Sequence, residues 1–241
     1  TPPNCQGNIA IEALNMIECF DLSQFEHNSA EYIDLLTQVL NLALNDRNLY
    51  NTDPRFFEMP DYILTKEYAK YMVDNYIHLG TPMTSLPKDG LEKAIDYEEK
   101  SHDTTYFAVA DKEGNIVSVV HSTLMSWGSG VAIDDYGIVL NNRMSYFSLD
   151  EEHVNHVEPR KRTMQTITPG SVTKDGEPAM FYGTPGADVQ EQCKFQVLLN
   201  YLVWGFTPQK AVEQPRIVTS LPGGPGKPDR NSPTLQVSSV G

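Results

Sequence analysis

A pair of adjacent threonines, Thr104 and Thr105, offers hydroxyl groups at a point where the chain changes character. A polar, charged stretch ends at Asp103, and an apolar run typical of a β-strand begins with the pair. A threonine there can act as an N-terminal nucleophile. It attacks the carbonyl before it, the chain breaks, and the freed α-amine becomes the base for its own hydroxyl. Threonine also opens many ordinary strands, because β-branched residues favour them, so the pair alone leaves both interpretations open.

The sequence after this pair predicts strands and one helix. TYFAVAD and NIVSVVHS are rich in β-favouring residues, and the Lys-Glu-Gly turn at 112–114 predicts a hairpin between them. GIVLNN and PAMFYG predict further strands, and glycine loops occupy 128–130 and 183–186. A last helix is predicted over 189–204, stopped by Gly205.

The first hundred residues carry a helical pattern instead. Apolar side chains recur near helical spacing over 9–17, and a longer apolar stripe covers 32–43. Asn28, with Glu31 three positions later, matches a capping box and predicts the start of the long helix. Asp53-Pro54 closes the segment, because the residue before a proline disfavours helix.

A third helix is predicted over 65–79, with Gly80 as its stop. Residues 81–103 lack a sustained period and are expected to form an exposed loop. The tail from Leu221 onward is rich in Gly, Pro and Ser, and we expect it to cross the surface.

Composition limits the partners of the chain. Its 241 residues include 18 basic and 32 acidic side chains, for a formal net charge of −14. This excludes nucleic-acid binding through bulk charge and an anionic membrane surface as partner, since both need clustered Lys and Arg.

No apolar run reaches the roughly 20 residues of a membrane helix, and TPPNCQGNIA is unlike a signal peptide, so a cytoplasmic location is expected. Cys5, Cys19 and Cys193 lack metal-ligand spacing, which favours incidental thiols.

Several stretches in combination resemble the gamma-glutamyltranspeptidase family. From Thr104 to about Ile217 its small subunit is matched by TTYFAVADKEGNIVSVV, the GSG loop with YGIVLNN and YFS, EPRKR, TPG, GTPG and AVEQPRI. The end of its large subunit is matched by PPN, EALNMIECFDL, HNSAEYIDLLTQVLNLALNDRNLY and DP. The resemblance implies the α+β fold of the self-cleaving N-terminal-nucleophile hydrolases, an αββα sandwich with helices first and antiparallel sheets after. It also implies a helical large-subunit end at 1–103 and a β-rich catalytic region at 104–241.

The resemblance assigns roles to four residues. Thr104 matches the nucleophile and new N-terminus, and Thr105 is then a plain strand residue. Ser122, on the second strand of the hairpin, matches a hydroxyl that hydrogen-bonds the nucleophile, with an ordinary strand serine as the alternative. Gly186 and Ala187 match the pair whose backbone N–H groups form the oxyanion hole, although the family usually has glycine at the second position.

Other positions depart from the family's substrate contacts. Tyr146 replaces an acidic residue that holds the substrate's α-ammonium, and Leu124 replaces an asparagine. Arg143 stands at a glutamine position, and Gln165 with Thr166 replaces paired serines that bind the α-carboxylate. These substrate-binding candidates disfavour a glutamyl amine and favour an acidic or planar group, because arginine presents a fork suited to carboxylate. The alternative is that Arg143 pairs with one of the chain's many acids.

These features predict a self-processing N-terminal threonine amidohydrolase or acylase that cleaves a small acidic amide through an acyl-enzyme. It would be similar to the oxamate amidohydrolase and cephalosporin acylase branches of the family. A true gamma-glutamyltranspeptidase or glutathione hydrolase is the alternative, and a catalytically idle binding or assembly protein is a further one. No metal and no organic cofactor is implied. The family's large subunit is longer before this region, so we expect the chain to pair with such a portion, as a homo- or hetero-oligomer.

Two polar residues near these sites have open roles. Asp188 matches a Gly-Asp continuation of the amidohydrolase branch and could touch the site, but aspartate commonly caps a following helix, and we expect the cap. His102, two residues before the predicted cleavage point, is a candidate to influence self-cleavage.

Overall fold

Three helices form the first part of the chain in the computed structural model, which describes residues 1–81, 83, 86, 102–220 and 234–238. They are α1 (Asn8–Ile17), α2 (Ala30–Tyr50) and α3 (Lys66–Tyr76), with short 3-10 turns at Leu22–Gln24 and Asp61–Leu64. The three helices that the sequence predicts are therefore confirmed. Two of their ends differ from the prediction.

The predicted cap of the long helix is wrong by one residue. Ser29 is the N-cap of α2, and its hydroxyl accepts from the Tyr32 N–H at 3.2 Å. Asn28 has a φ of 59°, a left-handed conformation that asparagine tolerates but an N-cap does not adopt. The predicted stop of α3 is also wrong: the helix ends before Gly80, because Ile77 already has extended backbone with φ −95° and ψ 117°.

The main hydrophobic core joins these helices to two later elements, α4 (Val189–Leu202) and β7 (Arg216–Ser220). The α2 stripe contacts both α1 and β7. Core members with at most 3% exposure include Ile9, Leu35, Val39, Leu40, Ala43, Phe195, Leu199 and Ile217. Each large aliphatic or aromatic side chain buried in this way contributes about 1.5–3 kcal/mol. The core thus draws on residues from both sides of position 104.

The strands form four antiparallel pairs, each of two strands among the described residues. The pairs are β1 (His102–Ala110) with β2 (Ile116–Met125), β3 (Ala132–Ile133) with β4 (Ile138–Val139), β5 (Gly170–Lys174) with β6 (Glu177–Tyr182), and β7 with β8 (Thr234–Ser238). A 3-10 turn at Arg143–Tyr146 and the short helix α5 (Pro208–Glu213) complete the elements of the described residues. The predicted strands and the helix over 189–204 are confirmed, and Gly205 after it has a φ of 66°.

The β1–β2 hairpin is fixed by its turn. Asp111 Oδ1 accepts from the N–H groups of Glu113 at 3.0 Å and Asn115 at 2.8 Å, and Gly114 has a φ of 84°. Such side-chain bonds to the backbone stabilise a turn in place of ladder bonds. Turn geometry sets the register of the two strands, and with it the residues that face each other farther along the hairpin.

The first strand starts earlier than the sequence predicts. β1 begins at His102, so the ladder runs across the Asp103–Thr104 bond. Asp103 pairs with Leu124 and Thr104 pairs with Ser122, which leaves one residue of β2 unmatched, as in a β-bulge. The expectation that the threonine pair begins the strand is therefore wrong. The bulge, not a strand end, distinguishes this position.

Two predicted segments lie mainly outside the described residues. These are the exposed loop at 81–103 and the surface tail from Leu221, of which only 234–238 is described, as β8. None of the helices in the described part of the chain combines the length and the apolar character needed to cross a lipid bilayer.

Candidate active site

Two hydroxyl groups meet across the β1–β2 ladder. Thr104 Oγ1 and Ser122 Oγ are 2.8 Å apart, and the residues are 18 positions apart in the chain. Both residues are half-buried, whereas Thr105 is exposed on the opposite face of the strand. The structure therefore brings together the hydroxyl pair that the sequence predicts. It gives Thr105 the placement of an ordinary strand residue.

Ser122 Oγ also contacts two hydrogen-bond donors. The Leu124 backbone N–H lies at 2.9 Å and Arg143 Nη2 at 2.8 Å. Leu124 has a φ of 76°, an uncommon conformation for leucine, and the bulge turns its N–H back onto the hydroxyl. Its side chain is 1% exposed and packs with Tyr146 and Ala187, so packing holds the backbone in this conformation.

Arg143 connects this hydroxyl pair to a second segment. It is 5% exposed, and its Nη1 donates to Thr166 Oγ1 at 3.0 Å while Nη2 donates to Ser122. Thr166 is fully buried. In these contacts the guanidinium binds two protein hydroxyls. The contact with substrate predicted for Arg143 and Thr166 stays a prediction.

The other two predicted substrate residues are placed differently. Tyr146 is 1% exposed, and its ring lies in the apolar cluster around Ala187, with its centroid 6.0 Å from Arg143 Cζ. That distance fits a cation–π contact. Gln165 pairs through its backbone with the start of the chain, where its carbonyl accepts from the Gln6 N–H at 3.0 Å. Their contact with substrate also stays a prediction.

The second glycine loop is left-handed at two successive residues. Gly186 has a φ of 126° and Ala187 a φ of 46°, and α4 begins at Val189. A Cβ on Gly186 would come within 2.7 Å of Val189 Cγ2, so both space and backbone require glycine. Ala187 adopts the αL region at a cost of about 1–2 kcal/mol. The loop precedes a helix of 14 residues, whose N-terminal dipole favours negative charge and suits the predicted oxyanion role.

The predicted cap by Asp188 is wrong. Asp188 holds the N-cap position of α4 but makes no capping hydrogen bond, because its backbone is already helical (φ −67°, ψ −19°). Its carboxylate accepts instead from Arg47 Nη1 at 2.6 Å. This contact ties the start of α4 to the last turn of the long helix α2.

Sequence reasoning missed two buried side chains, Gln6 and Arg47, that link the helical part to these loops. Gln6 Nε2 donates to the Thr166 and Ala187 carbonyls, both at 3.3 Å, and its Oε1 accepts from Arg47 Nη1 at 2.9 Å. One signal was available. Residues 45–48 are all polar although they continue a helix with an apolar stripe, and the structure shows that all four are buried. Buried polar side chains need partners, so such a run in a core helix indicates a buried network.

A buried carboxylate fixes the segment that leads to Thr166. Asp53 is fully buried and accepts from Arg55 Nη2 at 2.6 Å and from the Arg162 N–H at 2.9 Å. The hydrogen bonds from the Arg55 guanidinium hold the pKa of Asp53 well below its ordinary value. The two quoted stretches DP and EPRKR are therefore in contact.

A cavity of about 460 Å³ adjoins the same glycine loop and is lined by Tyr106, Gly183, Thr184 and Lys194 among others. The predicted site residues do not line it. Burial lowers the pKa of Lys194, whose ammonium donates to Glu191 Oε1 at 2.6 Å. In the described part of the chain, no group of three or more His, Cys, Asp or Glu side chains is arranged to hold a metal ion.

Comparison with known proteins settles the family. A sequence model described as gamma-glutamyltranspeptidase matches residues 1–230. The chain belongs to the gamma-glutamyltranspeptidase family. The glutathione hydrolase-like YwrD proenzyme of Bacillus subtilis (strain 168) is 40% identical over 218 residues, which are 90% of this chain and 39% of that protein. The acylase ACY 1 proenzyme of Pseudomonas sp. (strain SE83) is 28% identical over 219 residues, 90% of this chain and 38% of that protein.

A solved structure confirms the fold class. The crystal structure of cephalosporin acylase from Bacillus halodurans matches with a TM-score of 0.75 at 32% identity, covering 90% of this chain and 37% of that one. The predicted α+β class of the N-terminal-nucleophile hydrolases, helices first and antiparallel sheets after, is therefore confirmed. The chain spans about two fifths of the length of these relatives.

Proposed function

We propose that this chain carries the nucleophile of a self-processing amidohydrolase or acylase, and that the nucleophile is Thr104. The observation that carries the proposal is the 2.8 Å hydrogen bond between Thr104 Oγ1 and Ser122 Oγ in a member of this family. Two relatives are named proenzymes, one glutathione hydrolase-like and one an acylase, which supports both processing and amide chemistry.

Processing is an acyl shift from nitrogen to oxygen, followed by hydrolysis. Thr104 Oγ1 bonds to the Asp103 carbonyl carbon, the peptide C–N bond breaks, and the hydroxyl proton passes to the leaving nitrogen. Water then splits the ester, which gives the Asp103 carboxylate and restores the Thr104 hydroxyl beside a free α-amine. That amine, with an unperturbed pKa of about 7.7–8.0, is the base for substrate hydrolysis.

Substrate hydrolysis repeats this attack on an external amide. Thr104 Oγ1 adds to the substrate carbonyl, its proton moves to the α-amine and then to the leaving amine, and an acyl-enzyme forms. The Gly186 and Ala187 N–H groups stabilise the oxyanion, and one such donor is worth on the order of 10²–10³ in rate. Water then releases the acid and frees the threonine.

The substrate class in this proposal is a small amide with an acidic acyl group. Tyr146 is buried among apolar side chains and supplies no carboxylate to hold an α-ammonium. Without that partner, a charged amine next to an apolar cluster costs free energy of desolvation. An acyl group that keeps a carboxylate and lacks the ammonium avoids this cost.

Glutathione hydrolysis is the second candidate, because the relative at 40% identity is named glutathione hydrolase-like. One matched pair of substrates separates the two: γ-glutamyl anilide and glutaryl anilide, which differ only in the α-ammonium. The protein is expressed from its complete reading frame, and aniline release is followed. Faster release from the glutaryl compound supports the acylase; faster release from the γ-glutamyl compound supports the glutathione hydrolase.

The processing step has its own test, intact mass measurement with N-terminal sequencing. We expect a fragment that begins at Thr104 in the wild type and in the control Thr105→Ala, whose exposed side chain faces away. Thr104→Ala should stay whole. An unbroken Asp103–Thr104 bond in active, folded protein would refute the mechanism and favour a binding or assembly protein.

A further portion of polypeptide is part of the proposal. The relatives are more than twice as long as the matched region, and the β1–β2 hairpin exposes apolar side chains, with Phe107 at 49%, Val109 at 62% and Val117 at 57%. Exposed apolar side chains on neighbouring strands favour burial against another layer. We propose that this layer comes from the large-subunit portion.

A further inference from the structure

We infer that Arg143 is a positioning residue for the nucleophile: it makes the Ser122 hydroxyl the donor to Thr104 Oγ1 and strengthens that hydrogen bond. The inference rests on the proposed function, since it gives Arg143 a task in the attack by Thr104. It differs from the contact with substrate that the sequence predicts for Arg143.

The direction of the Thr104–Ser122 hydrogen bond follows from the partners of one oxygen. A serine hydroxyl donates one proton and accepts with two lone pairs. The Leu124 N–H at 2.9 Å and Arg143 Nη2 at 2.8 Å are donors only, so together they fill both lone pairs of Ser122 Oγ. The Ser122 proton is then directed at Thr104 Oγ1, 2.8 Å away. Thr104 Oγ1 is then the acceptor in this hydrogen bond. Its own proton is not bound to Ser122 and can be transferred to another group.

Removal of the guanidinium would free one of those lone pairs. The Thr104 hydroxyl could then donate to Ser122, and the pair could reverse. In the reversed state the nucleophile's proton is held by Ser122 rather than directed towards the nitrogen that must receive it. Arg143 therefore selects the state in which proton transfer can proceed.

The charge of Arg143 adds to this selection. The side chain is 5% exposed and stays protonated at any working pH, and its second arm is anchored on Thr166 Oγ1 at 3.0 Å. Hydrogen bonds from Arg143 to Ser122 and from Ser122 to Thr104 run in one direction, so each polarises the next. As Thr104 Oγ1 loses its proton and bonds to the carbonyl carbon, the Ser122 proton faces the negative charge that develops.

The test measures how fast the Thr104 fragment appears from freshly translated precursor, made from the complete reading frame, between pH 7 and pH 10. Arg143→Met removes donor and charge, and we expect slowing on the order of 10- to 100-fold. Arg143→Gln keeps a neutral donor and should be slowed less. Arg143→Lys keeps the charge and should process well near pH 7.

The pH profile separates positioning from a structural role. A lysine has an ordinary pKa of about 10.4, and burial lowers it, so Arg143→Lys should lose rate at the alkaline end. The wild type should show no such loss, because a guanidinium does not titrate there. A merely structural effect would slow Arg143→Lys equally at every pH.

Thr166→Val is a milder variant, which removes one anchor of the guanidinium and keeps the side-chain shape. It should slow processing a few-fold without a large change in Tm. If Arg143→Met fails to fold, the processing rate of Thr166→Val and the pH profile of Arg143→Lys still test the inference. Wild-type rates and a wild-type pH profile in these folded variants would overturn the inference and leave the proposed function intact. A wild-type precursor that never breaks at Thr104 would refute the proposed function itself.

Discussion

The helical part and the β1–β2 hairpin place their apolar residues differently. In α2, Leu35 and Leu40 are fully buried, whereas Val109 and Val117 of the hairpin are 62% and 57% exposed. The helices are stabilised by an internal core. Near Thr104 the hairpin contacts the rest of the described chain through Leu124, which packs with Tyr146 and Ala187, and through the hydrogen bond from Arg143 to Ser122. The contrast teaches that the position of the candidate nucleophile depends on a few contacts of the hairpin, one apolar and the others polar, and not on the main core.

The largest effect on folding should come from the helical core. Leu40→Ala removes a fully buried side chain and should lower the free energy of unfolding by about 2–5 kcal/mol, because a cavity remains. Urea unfolding followed by circular dichroism measures the change. The matched control is Leu202→Ala in α4, where the leucine is 55% exposed and the loss should be small. Equal losses of unfolding free energy for Leu40→Ala and Leu202→Ala would contradict the view that the buried core stabilises the helical part.

The next effect should come from the polar contacts around Asp53. Asp53→Asn weakens the contacts with Arg55 and Arg162 and should cost about 1–3 kcal/mol at pH 7. The depressed pKa means that the folded state favours the charged form, so this stabilisation is present at neutral pH and is lost as pH falls below the ordinary carboxyl pKa. The difference between variant and wild type should therefore shrink in acid. Asp134→Asn, at an exposed position, is the control, and a gap that is constant with pH would argue against the ion contacts.

A substitution in α1 should stabilise the protein. Burial and the neighbouring Asp46 carboxylate raise the pKa of Glu12 well above its ordinary value. The folded state then holds the proton to higher pH than the unfolded state, so wild-type stability falls as pH rises above the ordinary carboxyl pKa. Glu12→Gln keeps an acceptor for Asn8 Nδ2, which lies 2.8 Å from Glu12 Oε1, and removes the titration. Its Tm should exceed that of the wild type at pH 7 and not at pH 4. A variant that is less stable than the wild type at pH 7 would contradict the raised pKa of Glu12.

The smallest effect should come from the hairpin surface. Val109→Thr replaces a side chain that is 62% exposed and should change the free energy of unfolding by no more than about 0.5 kcal/mol in this chain. Val39→Thr, at a fully buried position of α2, is the matched comparison and should cost clearly more. Equal costs would show that the hairpin face is covered in solution and would break the contrast.

Local pattern predicted much of the fold. The apolar period placed α1 and α2, and the turn at 112–114 placed the hairpin whose register brings Thr104 opposite Ser122. The helix cap was misplaced because Asn28 and Ser29 are both good caps, and only backbone conformation distinguishes them.

The links between the two parts could not be predicted from pattern. Gln6 and Ala187 are 181 positions apart, and Arg47 and Asp188 are 141 apart. Such contacts arise from the packing of whole elements, and no periodicity or local spacing encodes them. For Asp188 the local rule also failed, because its backbone is already helical, and its carboxylate accepts from Arg47 instead.

The ladder that crosses the Asp103–Thr104 bond has a consequence for the timing of maturation. The cleavage that we propose there would turn one strand into two neighbouring chain ends, since His102 and Asp103 pair with Met125 and Leu124 across the ladder. The new carboxylate leaves the side of the new amine only when these two ladder positions separate. In the proposed maturation, bond breakage and strand separation are successive events with separate rates, and the second sets when a substrate would first reach the threonine.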